Sequence, residues 1–156
     1  MTWNNPPKFK SDTPKKGKVI TPEMLAASGS EDGHQAALFC WAAMNADKYP
    51  LLKWLFAIPN GGSRHIAEAT KFVGTGTRSG VPDIFLPCHV KMQWAAICPD
   101  DAYHGCFIEM KVGKNKTTKN QNEWIDYLTQ AGYYCKICYS WEEARDCLVN
   151  YLEGKL

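Results

Sequence analysis

The fold is decided by the stretch Gly105-Cys106-Phe107-Ile108-Glu109-Met110-Lys111. Its apolar residues favour a buried strand, on which successive side chains alternate between the two faces of the sheet. Glu109 and Lys111 therefore share one face, and Ile108 and Met110 share the other, which faces the core. Burying charge is costly, so an acid and a lysine on this strand indicate a functional site. The alternative is an edge strand with one face in solvent.

A second strand is predicted in Val81-Pro82-Asp83-Ile84-Phe85-Leu86-Pro87, with Asp83 at its start. The fixed φ of Pro82 holds the chain extended there. If the two predicted strands are neighbours, Asp83 and Glu109 converge, and facing carboxylates repel unless a proton or a cation lies between them. Carboxylate oxygens are the hard ligands that Mg²⁺ and Mn²⁺ prefer. The sequence therefore predicts a divalent metal site where these strands meet.

The remaining elements, predicted from hydrophobic periodicity and from turn residues, give a layered α/β domain. They are a helix over 31–47 capped by Ser30, a buried strand over 54–58, a helix over 63–73, an irregular insertion or hairpin over 88–104, a helix capped by Thr117 or Thr118 and ended by Gly132, a strand over 133–139, and a last helix capped by Ser140. Residues 1–29 are predicted to form a mostly irregular basic arm, and residues 30–156 the folded domain.

The bulk composition is that of a globular protein, with 156 residues and a formal net charge of +2. The longest apolar runs fall well short of the roughly 20 residues that cross a bilayer. The N-terminal residues lack the charged and apolar regions of a secretory signal. We therefore expect a cytoplasmic protein without a membrane partner, whose seven cysteines remain free thiols.

Basic residues provide candidate contacts to DNA. Lysines cluster in residues 8–18 and again in residues 111–119, where they can neutralise phosphates or form an ordinary solvated surface. A glycine-rich loop over 74–80 offers free backbone amides to a phosphate. The candidate DNA-contacting residues, each balanced against a plain surface role, are Arg64, Lys71, Arg78 and Lys114.

Cysteine and histidine residues leave a zinc site open as an alternative. Cys135 and Cys138 have a spacing found in zinc and redox sites, but on a strand their thiols point to opposite faces, which indicates one core and one surface residue. A further group matches no standard zinc spacing and comprises Cys88, His89, Cys98, His104 and Cys106. A non-catalytic DNA-binding module stabilised by zinc is therefore the alternative from another functional class.

The sequence also resembles a known nuclease family. Val81-Pro82-Asp83 followed by Glu109-Met110-Lys111 resembles the signature of the PD-(D/E)XK nucleases. Further stretches, in order, resemble the VRR-NUC branch, the virus-type replication-repair nucleases. They are Glu31 with Gln35, Pro59-Asn60-Gly61-Gly62-Ser63-Arg64, Gly80-Val81-Pro82-Asp83, and the series Gln121, Trp124, Leu128, Gly132 and Tyr133. The resemblance covers about residues 30–153.

This resemblance implies a restriction-endonuclease-like core, with a mixed central sheet of about four strands flanked by helices. It also implies a DNA endonuclease that uses Mg²⁺ or Mn²⁺ and leaves a 5′-phosphate and a 3′-hydroxyl. The metal ligands it implies are Asp83, Glu109, the Met110 backbone carbonyl and Glu31. Lys111 would lie beside the attacking water, and Gln121 would position water or phosphate.

Stand-alone members of this branch resemble Holliday-junction resolving enzymes that act as homodimers. Since the chain carries one set of candidate catalytic residues, symmetric incision of a four-way junction would need two chains. The resemblance therefore implies a homodimer acting on branched DNA in a bacterial host cell, encoded by a phage or prophage. A nicking or flap nuclease acting on other branched or duplex DNA is the alternative enzyme.

Overall fold

A four-stranded mixed sheet forms the centre of the computed structural model, which describes residues 19–59, 76–91 and 102–156. The strands are β1 (Phe56–Ala57), β2 (Ile84–Leu86), β3 (Val90–Lys91), β4 (Ala102–Tyr103), β5 (Cys106–Met110) and β6 (Tyr134–Cys138). The central sheet has the order β1-β2-β5-β6, while β3 and β4 pair separately. β5 and β6 are parallel, and the other pairs are antiparallel.

Helices accompany this sheet. They are α1 (Pro22–Ala26), α2 (Glu31–Met44), α3 (Lys119–Gln130), α4 (Trp141–Leu152) and a 3-10 helix (Pro50–Trp54). α2 and α4 pack against each other and against β5. No helix within the described ranges has the length and apolar character needed to cross a membrane. The predicted layered α/β architecture with a mixed sheet of four strands is confirmed.

The central strand β5 is buried on both faces. Ile108 and Met110 belong to the main core, together with Leu38 of α2 and Leu148 of α4. On the opposite face, the ring of Phe107 stacks on another phenylalanine of β2 at a centroid distance of 4.1 Å. An edge strand with one face in solvent is therefore wrong for this segment, and the acid and lysine that follow Ile108 have to be buried.

Side-chain caps fix the helix ends as the sequence predicts. The hydroxyl of Ser30 accepts a hydrogen bond from the backbone of Gly33 at the start of α2. Ser140 does the same at the start of α4. Gly132 ends α3 with a positive φ of 84°, and the backbone N–H of Tyr133 donates to the carbonyl of Leu128 at 3.0 Å. These ends fix where each helix begins and stops relative to the sheet.

The strand predicted over residues 54–58 is wrong over most of its length. Pro50 begins a 3-10 helix that runs to Trp54, and β1 is confined to two exposed residues. A short apolar run lacks a period that separates a strand from a tight helical turn. Proline also fits the first turn of a helix because that position needs no N–H donor.

The two segments predicted to be irregular contain some regular structure. The stretch 1–29 includes α1, which Thr21 caps and which packs against α2. The insertion predicted over 88–104 begins and ends as the antiparallel pair of β3 and β4, which agrees with a hairpin. The helix predicted over 63–73 lies outside the described residues.

We expect Tyr151→Phe to destabilise the fold by roughly 1–3 kcal/mol. The Tyr151 side chain is fully buried, and its hydroxyl donates to the backbone carbonyl of Cys88 at 2.7 Å. Removing the hydroxyl leaves that carbonyl without this donor in the core. Urea unfolding measures the loss, and Tyr127→Phe is the matched control, because the Tyr127 side chain is exposed on α3. Equal midpoints for the two variants would contradict this account.

Candidate active site

The sheet brings the two predicted acids together at one end of β2 and β5. These strands pair antiparallel with Ile84 opposite Ile108, so continuing the register places Asp83 opposite Glu109. The carboxylate of Asp83 accepts a hydrogen bond from the backbone N–H of Met110 at 2.9 Å. Asp83 therefore extends the pairing of the two strands through its side chain.

Glu109 is the buried centre of the site, with a relative exposure of 1%. Its Oε1 atom accepts from the ammonium of Lys111 at 2.7 Å and also from the amide of Gln121. The second carboxylate oxygen, Oε2, is buried and accepts no hydrogen bond in the described part of the structure. Such an oxygen normally has a partner, so this atom marks a position where a donor or a cation would be favourable.

Lys111 is buried beside Glu109, and its ammonium contacts several groups of the site. Besides Glu109, its ammonium donates to the backbone carbonyl of Met110 at 3.0 Å and lies 3.8 Å from a carboxylate oxygen of Glu31. Burial disfavours the charged ammonium, but the hydrogen bond to Glu109 and the surrounding carboxylates raise the pKa of Lys111 above its usual value. Lys111 is therefore charged near neutral pH in this site.

The pKa of Glu109 is raised, whereas pairing with a lysine usually lowers the pKa of an acid. Burial is the largest cause and raises the pKa of Glu109 to about 7, against the lowering effect of its hydrogen bond with Lys111. The nearby charges of Asp83 and Glu31 add to the increase. Burial and the neighbouring carboxylates therefore outweigh the stabilisation that the Lys111 ammonium gives to the charged form of Glu109.

Gln121 enters the site from the first turn of α3. Its amide oxygen accepts from the backbone N–H of Thr118 at 2.8 Å, and the Thr118 hydroxyl accepts from the backbone N–H of Gln121 at 3.3 Å. This reciprocal pair is a capping box. Because the oxygen of the amide is held by the cap, its nitrogen is directed toward Glu109. Of the two caps that the sequence predicts, Thr117 and Thr118, the structure therefore selects Thr118.

Glu31 lies at the outer side of the site. Its side chain is 39% exposed, and it accepts a hydrogen bond from the amide of Asn115 at 3.1 Å while it faces Lys111. Sequence reasoning missed Asn115, since a loop asparagine 84 positions from its partner has no local signal. Glu31 thus reaches the predicted site through Lys111. Its predicted role as a metal ligand stays a prediction.

The site chemistry suits a cation with few protein ligands. Within the described ranges, no three acidic, histidine or cysteine side chains stand close enough to form a metal-binding cluster. Mg²⁺ typically takes one or two carboxylates and keeps several waters. The buried, unpartnered oxygen of Glu109 and the neighbouring carboxylate of Asp83 fit that requirement, and the carbonyl of Met110 lies at the same strand end.

Of the predicted DNA-contacting residues, Arg78 and Lys114 are exposed. Arg78 lies in the loop that leads to β2, and Lys114 lies in the turn after β5. Arg64 and Lys71 lie outside the described residues. The contacts of all four with DNA stay predictions.

The cysteines within the described ranges are free thiols. Cys138 is fully buried and Cys135 partly buried, so the expected contrast between them holds for the core residue and is weaker for the other. In the insertion group, burial raises the pKa of the Cys88 thiol to about 11, which opposes formation of a metal-binding thiolate. Cys98 lies outside the described residues.

Comparison with known proteins agrees with this geometry. The sequence matches the family model of the VRR-NUC domain over residues 30–142. A solved structure described as a "VRR_NUC domain protein" superposes with a TM-score of 0.62 and 24% identity, covering 80% of this chain and 89% of that chain. At this identity, the likeness shows the fold. The search of curated proteins found no match.

The family match together with this shared fold confirms the restriction-endonuclease-like architecture that the resemblance implies. The family match covers most of the chain, including the loop before β2, the end of β5 and the start of α3. A VRR-NUC domain is a nuclease domain, and its substrate is DNA. The chain therefore belongs to the VRR-NUC family of nucleases.

Proposed function

We propose that this protein is a structure-selective endodeoxyribonuclease that uses Mg²⁺ or Mn²⁺ and resolves four-way DNA junctions in the bacterial cytoplasm. The observation that carries the metal-dependent chemistry is the Glu109 carboxylate, which is buried beside Asp83 with one oxygen unpartnered. VRR-NUC nucleases are generally metal-dependent, which supports the same proposal. The branched substrate is proposed from the resemblance to stand-alone resolving enzymes.

Asp83, Glu109 and the Met110 carbonyl would hold the cation, with water completing its coordination. Glu31 is a further candidate ligand from α2. A bound Mg²⁺ or Mn²⁺ would supply Lewis acidity at the phosphate and would lower the pKa of a coordinated water. This donor set is hard and oxygen-based, which favours these ions over zinc.

The other residues orient the acids and balance charge. The ammonium of Lys111 stabilises the negative charge that develops on the phosphate and orients the attacking water by hydrogen bonding. Gln121 holds Glu109 in one rotamer, because its amide is fixed at one end by the Thr118 cap. Arg78 and Lys114, which are exposed, would contact the DNA backbone and help to place the scissile phosphate.

A symmetric pair of incisions needs two active sites, so resolution implies that the enzyme acts as a homodimer. The alternative within the same chemistry is a nicking or flap nuclease that works at one site. A zinc-stabilised binding module without catalysis is the alternative from another class. It predicts DNA binding without turnover in Mg²⁺ or Mn²⁺ and stoichiometric zinc in the purified protein.

Metal-free protein should lose stability as the pH rises from 5 to 8, and Glu109→Gln should reduce this loss. Burial raises the pKa of Glu109 in the folded state to about 7, above the ordinary value of 4.5. Its stabilising contribution is therefore complete below pH 4.5 and is lost as the pH rises through 7. Urea unfolding in EDTA at both pH values measures the difference. An identical pH response in the two proteins would contradict the buried-charge argument.

Cleavage of supercoiled plasmid DNA should require Mg²⁺ or Mn²⁺ and should fall roughly 10²- to 10³-fold in Asp83→Asn, Glu109→Gln and Lys111→Met. Each change removes a charge at the proposed chemical centre while keeping a similar shape. Glu142→Gln is the matched control, because this acid is exposed on α4. Undiminished cleavage by Asp83→Asn and Lys111→Met, or full activity in EDTA, would show that the assignment is wrong.

A four-way junction should be cut in symmetric pairs, while a linear duplex of the same sequence should be cut at least about tenfold more slowly, a difference of about 1.4 kcal/mol. End-labelled strands run on a denaturing gel locate the cuts, and light scattering at micromolar concentration gives the mass of the enzyme. Equal cutting of the two substrates would exclude resolution. A monomer throughout the active range would favour the nicking or flap alternative.

A further inference from the structure

A groove of about 570 Å³ lies on the outer side of α3. The described residues that line it are Ser79, Asn120, Glu123, Trp124 and Tyr127. Its size falls within the range of sites that hold a small organic group. The groove is separate from the carboxylates of the proposed metal site, and the chemistry proposed above does not use it.

The groove is nevertheless close to the catalytic cluster, because both use the first turns of α3. Helical spacing places Asn120, Trp124 and Tyr127 on one face of the helix. Gln121, one position further on, is turned by about 100° and donates to Glu109. The groove therefore begins within about one helical turn, roughly 5.4 Å along the axis, of the residue that positions the catalytic acid.

The loop before Asp83 forms one wall of the groove and is packed tightly on α3. The indole N–H of Trp124 donates to the carbonyl of Ser79 at 3.2 Å. Gly80 has a φ of +90°, and a side chain there would lie within 2.7 Å of the Asn120 backbone. The positive φ and the close contact with Asn120 each require glycine at this position. The groove wall and Asp83 consequently belong to one closely packed unit.

The lining of the groove suits a flat aromatic group with polar edges. The rings of Trp124 and Tyr127 meet edge to face with centroids 6.4 Å apart, and Tyr127 is 65% exposed. An exposed ring can stack on a nucleobase, whatever its sequence. Asn120 and Glu123 add hydrogen-bonding groups that match base edges. The carboxylate of Glu123 disfavours a phosphate within the groove, whereas Lys119, which is 89% exposed and 3.7 Å from Glu123, can contact one outside it.

We propose that this groove binds an unpaired nucleobase of the DNA substrate, next to the phosphate that is cut. A base inside a duplex has both faces covered by its neighbours, so only an unpaired or extruded base can stack on Tyr127. The groove thereby favours DNA in which a base near the cleavage site is unpaired or is extruded from its stack, as at the branch point of a junction. The inference rests on the proposed nuclease function, which it deepens by naming a feature of the substrate.

The test is a binding comparison in EDTA, where no cleavage occurs. Fluorescence anisotropy measures the affinity for a branched DNA with one unpaired nucleotide, the same DNA with an abasic unpaired position, and a fully paired duplex. We expect Tyr127→Ala to weaken binding of the first DNA by about 5- to 100-fold and to change binding of the other two less than about twofold. Tyr127→Leu should behave like alanine, and Tyr127→Phe should retain wild-type binding.

Several results would overturn the inference. They are equal weakening on all three DNAs, wild-type binding by Tyr127→Leu, or an abasic DNA that binds as tightly as the intact one. Because the Tyr127 side chain is exposed, urea midpoints of the variants should match wild type. Loss of a dimer in Tyr127→Ala, measured by light scattering, with no change in DNA preference would identify the groove as a contact between two chains and would also overturn the inference.

The binding comparison, set beside cleavage of the same DNAs in Mg²⁺ or Mn²⁺, separates the groove from the catalytic proposal. A wild-type protein that prefers the unpaired base in EDTA but never cuts DNA in Mg²⁺ or Mn²⁺ supports the groove and contradicts the nuclease mechanism. A protein that cuts DNA but binds all three DNAs equally contradicts only the groove.

Discussion

A carboxylate at the centre of a sheet has to be surrounded by donors and positive charge, and Glu109 draws these from several elements at once. Lys111 donates to it from the position directly after its own strand, and α3 supplies Gln121. The neighbouring strand adds a second acid, Asp83, which increases the need for positive charge. Since burying an unpaired ion costs several kcal/mol, this local balance constrains how β2, β5 and α3 pack. The proposed cation completes it.

The same constraint separates the part of the fold that must be rigid from the part that can vary. β2 and β5 are fixed next to each other by backbone pairing and by the Asp83 hydrogen bond to Met110. After β2 the chain leaves the central sheet through β3, and it returns to β5 through β4. Within the described ranges, β3 and β4 pair only with each other. A change of length between β3 and β4 therefore need not disturb the register that brings the two acids together.

The sequence predicts those parts of the fold in which the chemistry of a single residue favours one local structure. Alternation places Glu109 and Lys111 on one face, and Gly132 ends α3 because it tolerates a positive φ. The strand predicted at Trp54 is wrong because a short apolar run suits a strand and a 3-10 turn equally. The Asn115 contact with Glu31 and the packing of Gly80 on Asn120 depend on tertiary placement, which no local pattern contains. The proposed ligand set and the preferred DNA depend on groups that are not part of the chain.

The Thr118 cap has a consequence for how the enzyme can change over evolution. Thr118 is exposed and takes part in no proposed chemical step. Its backbone N–H nevertheless holds the Gln121 amide, which orients Glu109. A substitution that loosens this first turn would leave the fold largely intact while freeing the amide to rotate. Surface position would then be a poor guide to mutational tolerance at this residue. Drift at this exposed position could silence the enzyme without any change among the residues proposed to contact DNA.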